Sequence, residues 1–263
     1  MDADDLTRAW DRAAVAELAY VDGHGRPRAT AVTPLVLDGG PAVALPYARS
    51  NLARALAASG TVVLSVSDSR MATKGWAPCA AGGTAEVVED LEGRCFLGGP
   101  LAQELRKHPP SRELLDTPVL RREHWWYVPR WIVRVAPQRA WPVGRRSSPA
   151  EGVLVTVSGP RQLAVDTVRV EDWDADRVVV TSLAAHDLRG LRGSAVLFTH
   201  DFAVPDLDRW VEASATGELR AGVLHVTQRD GRTALPKPLT LVGRLRRLRD
   251  LERACRRGLR ERV

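Results

Sequence analysis

Short runs of alternating apolar and polar residues, separated by turn signals, occupy much of the first half of the chain. The segment "ELAYVDGHGRPRATAVTPLVLDGGPAVAL" (17–45) predicts three strands, because its DGHG and DGG breaks are typical of tight turns. Two further strands are predicted for "TVVLSVSD" (61–68) and "AGGTAEVVED" (81–90). A short helix is expected between these groups, at Ser50–Ser59. Many short strands with one short helix are typical of an antiparallel barrel.

Helices are predicted before and after these strands. Residues 4–18 carry apolar side chains at helical spacing, and residues 97–120 form a helical excursion broken at Pro109–Pro110. The last predicted strand of this half is "HWWYVPRWIVRVAPQRAW" (124–141), which is apolar on both faces. We expect it at the junction of two barrels, with Trp126 and Arg130 lining a pocket there. Simple packing is the favoured alternative for most of its aromatic side chains.

The order of elements recurs later in the chain. An offset of 136 residues pairs Val21 with Val157, and an offset of 133 pairs Asp68 with Asp201. At an offset of 134, Gly83 pairs with Gly217. We interpret the pattern as an internal duplication, with chance similarity as the alternative.

The second copy differs from the first in two predicted respects. It has a helix shortened by three residues, and it has no counterpart of the strand predicted at 124–141. The predicted domains are a first barrel with an N-terminal helix (1–143), a linker (144–151), and a second, diverged barrel with a C-terminal helix (152–263). The fold class is therefore mainly β, with short helices and a basic helix at the end.

Composition restricts the class of protein. The 263-residue chain is 44% apolar, its start is acidic, and no apolar run reaches membrane-spanning length. Three scattered cysteines favour a reducing compartment, so we expect a cytoplasmic protein, and the preference for arginine over lysine suggests a bacterial one. The net charge of +6 resides in residues 241–263, which hold nine arginines and three acids. We expect this amphipathic helix to pack on the barrel through a stripe of Leu241, Leu245, Leu248, Cys255 and Leu259, in preference to binding nucleic acid or a membrane.

Three segments together resemble the split β-barrel of the pyridoxamine 5′-phosphate oxidase-like flavin-binding proteins. They are "GRPRATAVTPLVLDGGPAVALPYARSNLARALAASGTVVLSVSD", "GGTAEVVED" and "RVAPQRAW". The resemblance covers residues 15–143 well and 152–229 more faintly. That superfamily includes flavin reductases, deazaflavin (F420) oxidoreductases and haem-utilisation proteins. Its members are usually homodimers that hold flavin between two barrels, so a tandem copy implies a monomeric pseudo-dimer.

The resemblance also implies where a cofactor phosphate would bind, namely on the second strand and at the start of the short helix. The candidate residues are Arg28, Thr30, Thr33, Tyr47, Arg49, Ser50, Asn51 and Arg54. This chain has Asn51–Leu52 where a basic pair is expected after Ser50, so the phosphate would depend on Arg49 or Arg54. The alternative is that Ser50 only caps the helix and the arginines are solvated.

No residue pattern identifies acid–base, nucleophilic or metal chemistry, and the catalytic residues and the small-molecule substrate stay unknown. The resemblance implies an FMN-type flavoprotein, either an oxidoreductase or a cofactor-binding protein, since in such proteins the cofactor performs the hydride transfer. F420 is the alternative cofactor. A different alternative is a barrel without a cofactor that serves as a binding or regulatory module, which the departure at Asn51–Leu52 supports.

The repeat alignment predicts that only the first copy binds a phosphate. Arg28 aligns with Ala164 and Thr30 with Asp166, so the second copy exchanges a cation and a hydroxyl for an alanine and a carboxylate. A carboxylate beside a phosphate is repulsive. Titration of the apoprotein is expected to give about one equivalent of bound cofactor. Binding should be lost in Arg28→Ala and little changed in Asp166→Thr, whereas two equivalents would contradict the prediction.

Overall fold

The chain forms two antiparallel sheets, followed by a long C-terminal helix. A computed structural model describes residues 3–71, 76–148, 150–158 and 162–261. The strands are β1 (Ala16–Val21), β2 (Pro27–Val32), β3 (Leu35–Leu37), β4 (Gly40–Pro46), β5 (Thr61–Val66), β6 (Cys79–Asp90), β7 (Arg130–Pro142), β8 (Glu151–Ser158), β9 (Gln162–Val170), β10 (Arg177–Ser182), β11 (Arg192–Phe202), β12 (Trp210–Arg220) and β13 (Val223–Gly231).

The described helices lie mostly at the ends of the chain and between β6 and β7. They are α1 (Ala3–Arg12), α2 (Ser50–Ser59), α3 (Arg94–Leu97), α4 (Pro100–Lys107), α5 (Arg112–Leu115), α6 (Pro118–Glu123) and α7 (Leu241–Arg260). Single 3₁₀ turns lie at Tyr47–Arg49, Ser69–Met71, Pro109–Ser111 and Trp125–Tyr127. The predicted bounds of the helix at Ser50–Ser59 are confirmed.

The two sheets follow one order of strands. The first is β2-β1-β5-β6-β7-β4-β3, and the second is a closed barrel in the order β10-β13-β12-β11-β8-β9. Matching β1, β2, β4, β5, β6 and β7 with β8, β9, β10, β11, β12 and β13 gives the same neighbours in both. The mainly β fold is thus confirmed. The second sheet closes into a barrel because its edge strands β10 and β9 pair with each other. In the first sheet the equivalent strand β4 pairs with β3 instead.

A β-bulge occupies the same place in each sheet. The register shifts at Gly82/Gly83 between β6 and β7, and at Thr216/Gly217 between β12 and β13. A Cβ on Gly83 would lie 2.1 Å from the carbonyl oxygen of Ala136, and one on Gly217 would lie 1.9 Å from that of His225. Both positions therefore require glycine because a backbone crosses too closely for a side chain. This pair supports the duplication, which stays our interpretation.

Five sequence-based expectations about helices and strands differ from the structure. The opening helix ends at Arg12, because residues 16–21 pair with both β2 and β5 and their apolar positions serve a strand. The segment 17–45 holds four strands, since the chain breaks at Thr33–Pro34. The strand expected from residue 124 begins at Arg130, and the preceding Pro129 lacks the N–H that a sheet needs.

In the second copy, residues 183–191 form turns in place of the expected helix. The hydroxyl of Ser182 accepts hydrogen bonds from the backbone N–H groups of Ala184 and His186, which stabilises a turn, and the shortened loop leaves little room for a helix. The expectation that the last strand of the first copy has no counterpart is also wrong. Strand β13 pairs with β12 and β10 as β7 pairs with β6 and β4. The polar residues at its end, Gln228–Asp230, interrupt the apolar alternation by which the other strands were predicted.

An apolar layer joins the two sheets. Val63 and Ala80 of the first sheet pack in one cluster with Val155, Val196 and Phe198 of the second, and each of the five is almost fully buried. The apolar area that this layer removes from water stabilises the contact between the sheets.

A buried carboxylate lies at this contact. Both oxygens of Glu17 on β1 are used. One accepts a hydrogen bond from Ser65 (2.7 Å), and the other lies 2.8 Å from the guanidinium of Arg146 and 3.0 Å from Nε2 of His200 on β11. Burial by itself raises the pKa of Glu17, but the hydrogen bond from His200 and the charge of Arg146 outweigh it, so the pKa lies below its usual range. The ionised carboxylate therefore ties the two sheets and the intervening segment together.

Replacing Glu17 by Gln is expected to lower the free energy of unfolding by about 3 kcal/mol at neutral pH, because it leaves the Arg146 charge buried without a counter-charge. Since the folded-state pKa of Glu17 is depressed, the wild type loses this stabilisation as the pH falls through that pKa, and the two proteins converge in acid. Urea unfolding at several pH values measures both effects. Glu86→Gln, on an exposed position of β6, is the matched control and should change stability by less than about 0.5 kcal/mol. Equal losses in the two variants would contradict the role of Glu17.

Candidate functional site

A cleft of about 380 Å³ lies where the two sheets meet the helical excursion and α7. We call it the inter-sheet cleft. Strands β2 and β4 and the 3₁₀ turn at Tyr47–Arg49 supply one wall, and the start of β12 supplies the other. Its lining includes Thr33, Leu45, Arg49, Glu104, His108, Tyr127, Leu207, Trp210, Glu212 and Arg247. Residues far apart in the chain thus converge at one place.

The carboxylate of Glu212 binds to three donors at this cleft. It accepts hydrogen bonds from the hydroxyl of Thr30 (3.0 Å), the backbone N–H of Ala31 (3.3 Å) and the indole N–H of Trp210 (3.1 Å). The hydroxyl of Thr30 accepts in turn from the guanidinium of Arg49 (2.6 Å). A side chain of the second sheet therefore occupies the position on β2 at which an external anion would find its donors.

Two arginines of the cleft carry uncompensated charge. Within the described residues, neither Arg49 nor Arg247 has a carboxylate within 4.0 Å; Arg49 donates to Ala31 O (3.3 Å) and Arg247 to Asp208 O (2.7 Å). The carboxylate of Glu104, which also lines the cleft, is paired, since the buried guanidinium of Arg130 lies 3.4 Å away. Burial lowers the pKa of His108, which favours its neutral form. The open side of the cleft thus presents two cations and the carboxylate of Glu212.

The structure brings some of the predicted phosphate-binding residues together. Thr33 and Arg49 line the cleft, and Thr30 lies directly behind it. Arg28 is held by Asp22, with Nε 3.0 Å from its carboxylate, and does not line the cleft.

Asn51 and Arg54 are exposed on α2, where they are joined by a hydrogen bond of 3.3 Å. Neither lines the cleft. Of the three predicted arginines, only Arg49 reaches it, so the loss of binding expected for Arg28→Ala is now expected for Arg49→Ala instead.

The start of α2 is covered by α7. The hydroxyl of Ser50 is buried, donating to the carbonyl oxygen of Tyr47 (2.7 Å) and accepting from the indole N–H of Trp131 (3.1 Å). Gly258 of α7 packs so closely that a Cβ there would lie 2.3 Å from the same carbonyl oxygen. The tyrosine ring is buried too and lies against Trp131. Tyr47 and Ser50 are therefore part of the contact with α7 and are closed to a ligand.

The predicted pocket residues Trp126 and Arg130 lie in the core and not at the cleft. The Arg130 guanidinium is fully buried between the rings of Phe96 and Tyr127, at 4.1 and 4.2 Å from their centres. Trp126 belongs to the same buried cluster. Their positions correspond to the packing interpretation of this segment.

Sequence reasoning missed His108, Trp210, Glu212 and Arg247. One signal was present, because the offset of 134 residues that pairs Gly83 with Gly217 also pairs Trp76 with Trp210. The other three have no local pattern, since the helical excursion brings His108 to the cleft, strand pairing brings Glu212, and the packing of α7 brings Arg247.

The aligned position of the second copy is occupied differently. Asp166 on β9, which aligns with Thr30, has its carboxylate 3.2 Å from Nδ1 of His186 and accepts a hydrogen bond from the backbone N–H of Thr167 (2.8 Å). Among the described residues, no group of three or more His, Cys, Asp or Glu side chains is arranged for a metal ion. None of the described helices is both long enough and apolar enough to cross a bilayer.

No protein-family model and no curated protein matches the chain. Its fold is similar to solved structures of low sequence identity. Protein Rv2991 of Mycobacterium tuberculosis is 19% identical over 54% of this chain and 85% of its own (TM-score 0.38). A putative pyridoxamine 5′-phosphate oxidase of Listeria innocua is 14% identical over 53% and 96% (TM-score 0.35). An F420 reductase is 19% identical over 51% and 93% (TM-score 0.34). Each of these likenesses spans about half of this chain.

Replacing Gly258 by Ala is expected to lower the free energy of unfolding by about 1–3 kcal/mol, because the added methyl group collides with the backbone at Tyr47. Gly243→Ala, in the first turn of the same helix, is the matched control. Its Cβ would have no neighbour nearer than 3.4 Å, so the gain in helix propensity should leave the protein as stable or up to about 1 kcal/mol more stable. Chemical denaturation measures both variants, and a Gly258→Ala protein as stable as its control would rule out the close contact.

Proposed function

We propose that the protein binds a flavin-type cofactor, FMN, in the inter-sheet cleft, and acts as an oxidoreductase on a small molecule or as a cofactor carrier. The convergence of both sheets on one cleft supports this most directly. Trp210 and Tyr127 provide aromatic surface there and Leu45 and Leu207 apolar surface, as a flat ring system requires. The resemblance in residues 15–143 agrees with the proposal.

The residues fit the two parts of such a cofactor unequally. The ring would lie against the apolar lining, and the phosphate would be held by Arg49 and Arg247, whose charges have no carboxylate partner among the described residues. The start of α2 is closed by α7, and Glu212 already uses the donors of β2. When bound, a flavin would supply the hydride chemistry. The chain's own part is to hold the ring and keep water from its face.

We further propose that the two sheets act as a pseudo-dimer within a cytoplasmic monomer, with a single phosphate site built on the first copy. The shared strand order supports a duplication, and the contact of His186 with Asp166 fills the aligned position in the second copy. F420 is the alternative cofactor for the same cleft.

A second candidate function is a binding or regulatory module without a cofactor. The carboxylate of Glu212 favours it, because it satisfies the donors of Thr30 and Ala31 from within the chain. Titration with FMN separates the two functions.

The wild type is expected to bind about one equivalent of FMN, and Arg49→Ala to weaken binding by about tenfold or more, since a charge-assisted hydrogen bond contributes roughly 1.5–3 kcal/mol. Arg54→Ala is the matched control, because Arg54 is exposed on α2 and does not line the cleft. Light scattering on the same samples should give a monomer. A protein that binds neither FMN nor F420 would favour the module, and a stable homodimer would remove the claim that the second copy replaces a subunit.

Replacing Glu212 by Gln should strengthen the binding of FMN several-fold, because it removes a like charge near the phosphate while keeping the shape of the side chain. Riboflavin, which lacks the phosphate, is the matched ligand and should bind the two proteins about equally. Calorimetric titration measures all four combinations. If both ligands respond equally to Glu212→Gln, the phosphate does not lie near this carboxylate.

A further inference from the structure

A second cleft, of about 590 Å³, lies where the last turns of α7 meet α6 and the 3₁₀ turn at Trp125–Tyr127. It shares no lining residue with the inter-sheet cleft. We call it the arginine cleft, after the four arginines that line it: Arg121, Arg122, Arg256 and Arg260.

Most of this positive charge is uncompensated. Arg256 pairs with Glu252 at 2.8 Å, but among the described residues Arg121 donates only to neutral acceptors, the carbonyl oxygens of Leu115 (2.8 Å) and Asp116 (3.4 Å). Arg122 and Arg260 are exposed, and in the described ranges neither has a carboxylate within 4.0 Å.

One lining residue, Glu92, is acidic, and its carboxylate pairs with Arg94 at 2.5 Å. Arg260 lies in the last turn of α7, where a cation suits the helix dipole. Arg121 and Arg122 lie in the last turn of α6, where the same role applies to them. The cleft thus concentrates positive charge from two separate helices.

The surface between these charges is apolar and partly open. Trp125 is 52% exposed and Leu97 is 41% exposed, and both line the cleft together with Val128 and Leu259. The guanidinium carbon of Arg256 lies 4.9 Å from the centre of the Trp125 ring, which holds the ring in place while leaving half of it open. An exposed aromatic surface next to unpaired cations suits a ligand that is flat and apolar at one end and anionic at the other.

We infer that the arginine cleft binds a small aromatic anion, with its ring on Trp125 and its carboxylate or phosphate on Arg122 and Arg260, and with Arg121 as a fixed third cation. The inference is independent of the function proposed for the inter-sheet cleft, with which it shares no residue. The arginines match the charge of the anionic group, and the apolar lining of Trp125, Leu97 and Leu259 matches the ring.

Calorimetric titration of the full chain with 2-naphthoate, 2-naphthyl phosphate and the neutral 2-naphthamide tests the inference. Both anions are expected to bind more tightly than the amide, and their affinities to fall as the salt concentration rises from about 0.05 to about 0.5 M. Comparing the two anions identifies which charged group the site prefers. Arg122→Ala with Arg260→Ala should weaken anion binding by about tenfold, since two exposed ion pairs contribute up to about 1 kcal/mol each. Trp125→Ala should weaken the binding of all three compounds, because it removes the stacking surface.

Arg244→Ala with Arg246→Ala is the matched control, because it removes the same charge from exposed positions elsewhere on α7 and should leave binding unchanged. If the control variant lost the same affinity for the anions, the effect would be due to net charge alone and the inference would be overturned. It would equally fall if the amide bound as tightly as the anions, or if neither anion bound at millimolar concentration. Tight binding of an acidic, phenylalanine-containing peptide with no binding of the naphthyl anions would assign the cleft to a protein partner instead.

Discussion

The ionised carboxylate of Glu17 is the interaction on which the arrangement of the two sheets depends. Its partners come from the first sheet, from the segment between the sheets and from the second sheet, so neither sheet alone completes the cluster. A buried charge of this kind is costly unless all of its partners are in place. The burial of the apolar layer around it is non-directional, whereas the hydrogen bonds and ion pair of Glu17 are directional and favour one register. The position of the inter-sheet cleft follows from that register.

One side chain contacts both members of a pair of positions that the repeat alignment matches. Asp68 and Asp201, which the repeat alignment pairs, both contact Arg70, at 2.7 and 2.6 Å. The residue that aligns with Arg70 is Ala203, so the second half has no arginine to offer in return. A homodimer would carry two identical arginines at these places. The two aligned positions Thr30 and Asp166 also differ in residue type and in their surroundings. The candidate site at Thr30 therefore has no equivalent at Asp166.

The last helix determines which surfaces of the first half remain open. The second half of α7 packs on the first half of the chain through Cys255 and Gly258, which closes the start of α2, whereas Leu241 and Leu245 are exposed although the sequence pattern placed them on the packed stripe. Arg247 on the same helix faces the inter-sheet cleft, and Arg256 and Arg260 face the arginine cleft. The basic end of the chain therefore contributes charge to both clefts.

Local pattern was sufficient for much of the fold. Alternation and turn residues located most strands, and the pairing of Gly83 with Gly217 identified two glycines that a close backbone crossing requires. The candidate site was less accessible to the sequence. The sequence predicted Thr30, Thr33 and Arg49, but it also predicted Arg28 and Ser50. No local signal shows that Asp22 pairs with Arg28 or that α7 covers Ser50. Glu212 and Arg247 reach the cleft only through strand pairing and helix packing. The sequence by itself determined which segments become strands, because side-chain alternation and turn propensity are local properties. Only the tertiary structure decided which charges are neutralised and which cleft stays open, because those depend on groups far apart along the chain.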